Sequence, residues 1–92
     1  MIANVQGEIA AIEDDSLVVQ LGGVGLRVFV PAAVCAAARV GERIFLHTHL
    51  IVREELLALY GFETEAERET FNLLLGVSGI GPRIALAILS TL

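Results

Sequence analysis

The chain has 92 residues, of which 55% are hydrophobic, and six arginines and eleven acidic residues give it a formal net charge of −5. This length suits one modest domain, or one small domain and the start of another. No uncharged run approaches the ~18–20 apolar residues of a membrane span, and no basic segment precedes an apolar stretch at the N-terminus, so neither a span nor a signal peptide is predicted. Cys35 is the single cysteine. It excludes an internal disulfide and fits a reducing compartment such as the cytoplasm.

Residues 1–62 carry alternating apolar patterns bounded by turn residues, which predict β structure. Gly7 is expected to form a bend or bulge in the first strand, and the alanine-rich residues 31–39 a short helical or irregular connection. Five short strands with one interruption predict a β barrel, the five-stranded Greek key of the OB-fold, which does not by itself imply nucleic-acid binding. The predicted strands are residues 1–12, 16–21, 26–30, 43–53 and 56–62.

Two histidines, His47 and His49, lie two residues apart on the fourth strand and therefore point to the same face. That spacing could hold a metal ion, but no third ligand of suitable type lies nearby in the sequence. The favoured interpretation is a strand face that meets solvent or a neighbouring chain. The sequence thus predicts no metal site and no cofactor.

Two glutamates, Glu54 and Glu55, join the fourth strand to the fifth. A two-residue hairpin normally needs Asn-Gly, Asp-Gly or a leading glycine. A local rule broken at an exposed tip often marks a functional site; the alternative is a slightly longer, ordinary polar loop. As a catalytic pair the glutamates are weak, because no histidine, metal cluster or acidic partner is placed to assist them. The sequence predicts no catalytic residue.

From residue 63 onward the pattern becomes helical. Thr64 and Glu67 form a capping box, and Phe71 begins an apolar stripe at helical spacing. The glutamates of the first turns are favoured there by the helix dipole and are interpreted as structural. The last helix, near residues 82–91, is apolar almost all round and needs cover on several sides, which predicts a fragment or an interface with another chain.

The two helices are joined by residues 77–83, Val-Ser-Gly-Ile-Gly-Pro-Arg. Gly79 and Gly81 can adopt backbone angles closed to other residues and carry no Cβ that would obstruct a neighbour. Pro82 suits the first position of a helix. The N–H groups at this helix start would lack backbone partners and lie in the positive field of the helix dipole, which makes an anion site.

This pattern resembles a helix-hairpin-helix, a module that holds the nucleic-acid backbone without reading bases. Ile80 is expected to anchor the turn between the helices, and Arg83 to stand beside the amides with a fixed positive charge that suits a phosphate. The alternative is a Gly-rich turn that binds nothing. Net charge opposes DNA binding unless the acids are segregated from this surface or basic parts lie elsewhere. The predicted backbone-binding residues are Gly79, Ile80, Gly81, Arg83 and Ile84.

Several unusual strings occur in a fixed order along the whole chain, at residues 1–2, 22–25, 52–55, 59–62 and 79–90. Together they resemble the N-terminal part of the RuvA family, which recognises Holliday junctions in the bacterial branch-migration complex. The resemblance implies that residues 1–62 form a tetramerising OB-fold barrel, with Glu54 and Glu55 as an acidic pin at the junction crossover. It also implies that residues 63–92 hold the first helix-hairpin-helix of a second domain that is truncated here.

The function implied by this resemblance is non-catalytic, structure-specific binding of four-way DNA junctions in recombination and repair. The implied partners are further copies of the chain in a homotetramer, or an octamer on DNA, the RuvB ATPase as the motor, and the RuvC resolvase, with no membrane. The rival interpretation is an oligomerisation or scaffold module without DNA contact. A single-strand-binding barrel is poorly supported, since the aromatic residues are few and lie mostly at apolar-patterned positions.

Overall fold

Five β-strands form a closed barrel in the computed structural model, which describes residues 2–92. The strands are β1 (Asn4–Ile12), β2 (Ser16–Leu21), β3 (Val24–Phe29), β4 (Arg43–Arg53) and β5 (Leu56–Phe62). Their order around the barrel is β1-β2-β3-β5-β4, and β4 closes it by pairing with β1. Among the strand pairs within residues 2–92, only β3 and β5 are parallel. The predicted five-stranded Greek-key barrel of the OB type is therefore confirmed.

The interior of the barrel is filled by aliphatic side chains from alternate positions of the strands, because successive residues of a strand point to opposite faces. Burying each of them fully contributes about 1.5–3 kcal/mol. The short helix α1 (Ala32–Ala37) adds Val34 to this core. The buried members from the strands are Val5, Ile9, Leu17, Val19, Val28, Leu46 and Leu59.

The bulge predicted at Gly7 is wrong. The register of β1 shifts between Ile9 and Ala11, whereas Gly7 pairs regularly with Ile44 of β4. Glycine is needed at this position for a different reason, since a Cβ there would lie 2.4 Å from the backbone oxygen of Gln20. Gly7 lies where β1 passes from pairing with β4, over residues 4–8, to pairing with β2 from Glu8 onward. Met1, the first residue of the predicted strand, lies outside the described residues.

Two further helices, α2 (Glu65–Leu75) and α3 (Pro82–Ser90), cover one outer face of the barrel. The predicted capping box is present: the Thr64 hydroxyl accepts a hydrogen bond from the Glu67 N–H at 3.1 Å, and the Glu67 carboxylate accepts one from the Thr64 N–H at 3.2 Å. The helices share a second core with β4 and β5. Its buried members are Ile51, Ala58, Tyr60, Phe62, Phe71, Ala85, Leu86 and Leu89.

The histidine-bearing face of β4 does not simply meet solvent, because α2 folds across part of it. His49 packs edge-on against Phe71, with ring centroids 5.7 Å apart. Burial lowers the pKa of His49, and the nearby Arg68 charge acts in the same direction. His47 remains half-buried beside Phe45, at a centroid distance of 5.0 Å. Both histidines thus keep part of their surface exposed on this face, and Phe71 covers only part of His49.

Candidate functional site

The turn between α2 and α3 contains two glycines in different conformations. Gly79 has a φ of +86°, in the left-handed region that side chains disfavour, whereas Gly81 has a φ of −90° and a ψ of 177°, which any residue adopts. A Cβ added at either position would meet nothing within 4 Å. Neither backbone angle nor packing within the chain therefore requires glycine at position 81. The space in front of both residues is open.

Helix α3 begins with unpartnered backbone amides. Gly81 is its N-cap and Pro82 its first residue, no side chain caps this end, and the first backbone bond runs from the Ala85 N–H to the Gly81 carbonyl at 3.0 Å. Within residues 2–92 the N–H groups of Gly81, Arg83 and Ile84 donate to no protein acceptor. Such groups carry roughly half a positive charge at a helix start, so this end of α3 can accept an anion.

The two isoleucines of the site differ in exposure. Ile80 is half-buried and packs against the second core. Its N–H donates to the Val77 carbonyl at 3.1 Å, and the two contacts anchor the turn to the rest of the chain. Ile84 is 52% exposed beside the free amides. The turn therefore presents backbone N–H groups and one apolar side chain outward from a fixed base.

The charge of Arg83 is already engaged. Its Nη2 atom lies 3.0 Å from Oδ2 of Asp15, and its guanidinium carbon lies 5.5 Å from the centroid of the Phe29 ring. The positive charge that the sequence predicts beside the amides therefore has a partner within the chain, which the sequence did not predict. Asp15 belongs to the turn between β1 and β2, far away in sequence, and nothing in the local pattern assigned it a partner on α3.

Acidic residues are not fully segregated from this surface. Asp14 and Asp15 line a cavity of about 230 Å³ together with Arg83 and Ser90. Segregation was one of the two conditions under which a chain of net charge −5 could hold DNA. Around the start of α3 that condition is met only in part.

Glu54 and Glu55 occupy the tip of the β4–β5 hairpin. Arg53 pairs with Leu56 across the strands, so the loop contains only the two glutamates and the alternative of a longer loop is wrong. No described non-glycine residue has a positive φ, which excludes the primed turns that usually close such hairpins. Both glutamates are exposed, and the ion pairs found within residues 2–92 involve neither of them.

Exposed apolar side chains flank this acidic tip. Val52 is 67% exposed, and Leu56 and Leu57 on the other strand are 48% and 71% exposed. The tip therefore combines two carboxylates with uncovered hydrophobic side chains on both faces of the hairpin. The acidic tip joins β4 to β5, whereas the glycine turn joins α2 to α3.

Other chemistry is not assembled in the described part of the chain. No group of three or more His, Cys, Asp or Glu side chains there is placed to hold a metal ion. Cys35 on α1 is a free, partly buried thiol, and burial, followed by the charges of Asp15 and Asp14, raises its pKa. None of the helices within residues 2–92 has the length and apolar character needed to cross a membrane.

Comparison with known proteins gives one consistent match. The chain is 50% identical over 92 residues to the "Holliday junction branch migration complex subunit RuvA" of Chloroflexus aggregans. This alignment covers 99% of this chain and 47% of that protein. The proteins of the same name from Herpetosiphon aurantiacus and Beutenbergia cavernae are both 52% identical, over 91 and 90 residues. These alignments cover 98% of this chain in each case, and 46% and 45% of the two relatives.

The chain thus spans about half the length of the curated relatives it matches. A family model described as the RuvA N terminal domain matches residues 1–61, which include the whole barrel except its last residue, Phe62. The matched residues form a closed five-stranded barrel, and the chain belongs to the RuvA family.

Proposed function

We propose that this chain is the junction-binding part of a RuvA-type subunit, which binds four-way DNA junctions during branch migration in recombination and repair. The observation that carries the proposal is the open glycine turn, where unpartnered amides stand at the start of α3. The subunit is non-catalytic, and the RuvB ATPase supplies the motor. Its relatives carry the name of a branch migration complex subunit.

The glycine turn would hold DNA by its backbone. The N–H groups of Gly81, Arg83 and Ile84 donate to a phosphate, while Gly79 shapes the turn and Ile80 anchors it. Packing within the chain does not require glycine at position 81, since a Cβ there would meet nothing within 4 Å. The missing Cβ instead leaves room for a phosphate to approach closely. Contacts of this kind carry no sequence information, so the grip is independent of sequence and the DNA can slide.

The acidic tip would act where the arms meet. In a homotetramer each subunit brings Glu54 and Glu55 towards the crossover, where confined carboxylates repel phosphates more strongly than they do in bulk water. This repulsion weakens binding to DNA without a junction and keeps separating strands apart. The exposed Val52, Leu56 and Leu57 beside the tip support burial against other subunits.

The assembly that goes with this function is a homotetramer, or an octamer on DNA, in the bacterial cytoplasm, with RuvB and the RuvC resolvase as partners. Residues 1–62 form its tetramerising barrel, and residues 63–92 the first helix-hairpin-helix of the DNA-holding domain. The second core, shared between barrel and helices, supports a fixed orientation of the glycine turn on that barrel.

The test is gel retardation of a four-way junction and of a linear duplex with the same arm sequences, using the full-length protein over a range of salt concentrations. We expect preferential retardation of the junction that weakens as salt rises. Arg83→Ala is expected to weaken binding to all sequences and to lower the salt slope by about one. Arg39→Ala removes the same charge from an exposed position elsewhere and serves as the control.

Absence of retardation of either DNA at low salt would contradict the proposal. That result would favour the rival function, an oligomerisation module without DNA contact. Equal losses in Arg83→Ala and Arg39→Ala would show that general charge, and not the glycine turn, governs binding.

A further inference from the structure

The ion pair between Arg83 and Asp15 joins the proposed DNA-binding turn to the turn between β1 and β2 of the barrel. The Nη2 atom of Arg83 lies 3.0 Å from Oδ2 of Asp15, and the two side chains are 67% and 42% exposed. Because both are accessible to solvent, a phosphate can reach the guanidinium and compete with the carboxylate. The pair therefore lies where it can influence the binding of an anion to α3.

Asp15 is presented by a rigid turn. Its carbonyl accepts a hydrogen bond from the Val30 N–H at 3.1 Å, and the Glu13 N–H donates to the Ser16 carbonyl at 2.8 Å. The Ser16 hydroxyl, in a residue that is 1% exposed, donates to the Glu13 carboxylate at 2.6 Å. The backbone beneath Asp15 is thus fixed on both sides, and the carboxylate needs little ordering to meet α3.

Arg83 is also held on its other side. Its guanidinium carbon lies 5.5 Å from the centre of the Phe29 ring, which itself lies 5.3 Å from the ring of Tyr60 in the second core. A cation above an aromatic face is attracted by the ring quadrupole. Two independent contacts therefore keep the guanidinium at the barrel when no DNA is bound.

Carboxylate and phosphate are alternative partners for one guanidinium, since both match its planar set of N–H donors. We propose that Asp15 is an intramolecular competitor for the DNA phosphate at Arg83, and that it lowers the affinity of the glycine turn for duplex arms. This inference rests on the proposed function of the turn. Its consequence is a weaker grip at each arm, which lets DNA be exchanged and moved rather than held.

The size of the effect follows from the exposure of the pair. Exposed ion pairs are weak, so releasing Arg83 is expected to tighten duplex binding by about two- to fivefold for each engaged subunit. The tightening depends on Arg83 and not merely on the loss of one negative charge. Asp14 provides the matched comparison, because it is the adjacent acid, is exposed, and makes no ion pair within residues 2–92.

The experiment measures fluorescence anisotropy of a labelled linear duplex with the full-length protein as wild type, Asp15→Asn and Asp14→Asn, each also combined with Arg83→Ala. We expect Asp15→Asn to tighten binding about two- to fivefold more than Asp14→Asn for each subunit that engages the duplex. In the Arg83→Ala background the two variants are expected to have equal effects, since the competitor then has nothing to compete for. Asp15→Ser serves as a second variant, with thermal melting as the check on folding.

Equal affinities of Asp15→Asn and Asp14→Asn would overturn the inference while leaving the proposed function intact. Weaker binding by Asp15→Asn would also overturn it, because the pair would then orient the turn for DNA instead of competing with it. A wild-type protein that binds neither duplex nor junction would refute the proposed function itself, and this inference with it.

Discussion

Replacing Gly81 with alanine separates binding from folding at the glycine turn. Its backbone is extended, with a φ of −90°, and a Cβ built there meets nothing within 4 Å. Alanine lowers the entropy of the unfolded chain, which stabilises by about 0.4–1 kcal/mol. It is a poorer N-cap than glycine, which costs about 0.5–1 kcal/mol. These terms nearly cancel, so the melting temperature is expected to change by no more than about 4 °C.

DNA binding is expected to respond much more strongly to the same change. The added methyl group would lie in the open space through which a phosphate approaches the amides of α3. A hydrogen bond to a charged group contributes about 1.5–3 kcal/mol, so losing one amide–phosphate contact weakens binding about tenfold or more. Thermal melting followed by circular dichroism, and anisotropy with a labelled junction, measure the two effects on one preparation.

Gly79→Ala is the matched control for Gly81→Ala. At a φ of +86° alanine enters the left-handed region. The cost of about 1–2 kcal/mol exceeds the gain from the unfolded chain, and we expect the melting temperature to fall by about 4–8 °C. The reasoning is refuted if Gly81→Ala binds the junction as wild type does, or if it melts as low as Gly79→Ala.

Two further predictions concern charge. Converting Glu54→Gln and Glu55→Gln together is expected to tighten linear-duplex binding about fivefold or more, since unit charges 4 Å apart interact by about 1 kcal/mol even in water; an equal gain in the control Glu42→Gln would remove this account of the acidic tip. Glu13 has a pKa below its ordinary value of 4.5, first because it accepts a hydrogen bond from Arg27. Its contribution to stability is thus present above that value and lost as pH falls through the lowered pKa. Glu13→Gln is expected to make the melting temperature less sensitive to acid, and an unchanged acid response would contradict this.

Local patterns predicted much of the fold. The alternation along β4 gave both ends of that strand, Arg43 and Arg53, because eleven residues of period-two pattern leave little freedom in the assignment. The capping box at Thr64 was equally readable, since both of its hydrogen bonds lie within four residues of sequence. Features that depend on nearest neighbours along the chain were therefore accessible without a structure.

Features that depend on distant segments were not accessible. Gly7 is required because β2 passes close to it, which no local pattern reports. His49 is partly covered because Phe71 on α2 packs against it. The ion pair of Arg83 joins a helix start to the β1–β2 turn. The glycine turn was predicted to be an anion site, whereas the acid that shares its arginine was interpreted only as part of a turn.

The central claim is that the amides at the start of α3 hold the DNA backbone, and amide hydrogen exchange of the full-length protein with and without a four-way junction tests it most directly. The account predicts slower exchange in the peptide that contains Gly81, Arg83 and Ile84 when the junction is added, and no such slowing at Glu54 and Glu55, whose carboxylates repel phosphate. Unchanged exchange at the start of α3 under conditions where the junction is fully bound would contradict the account.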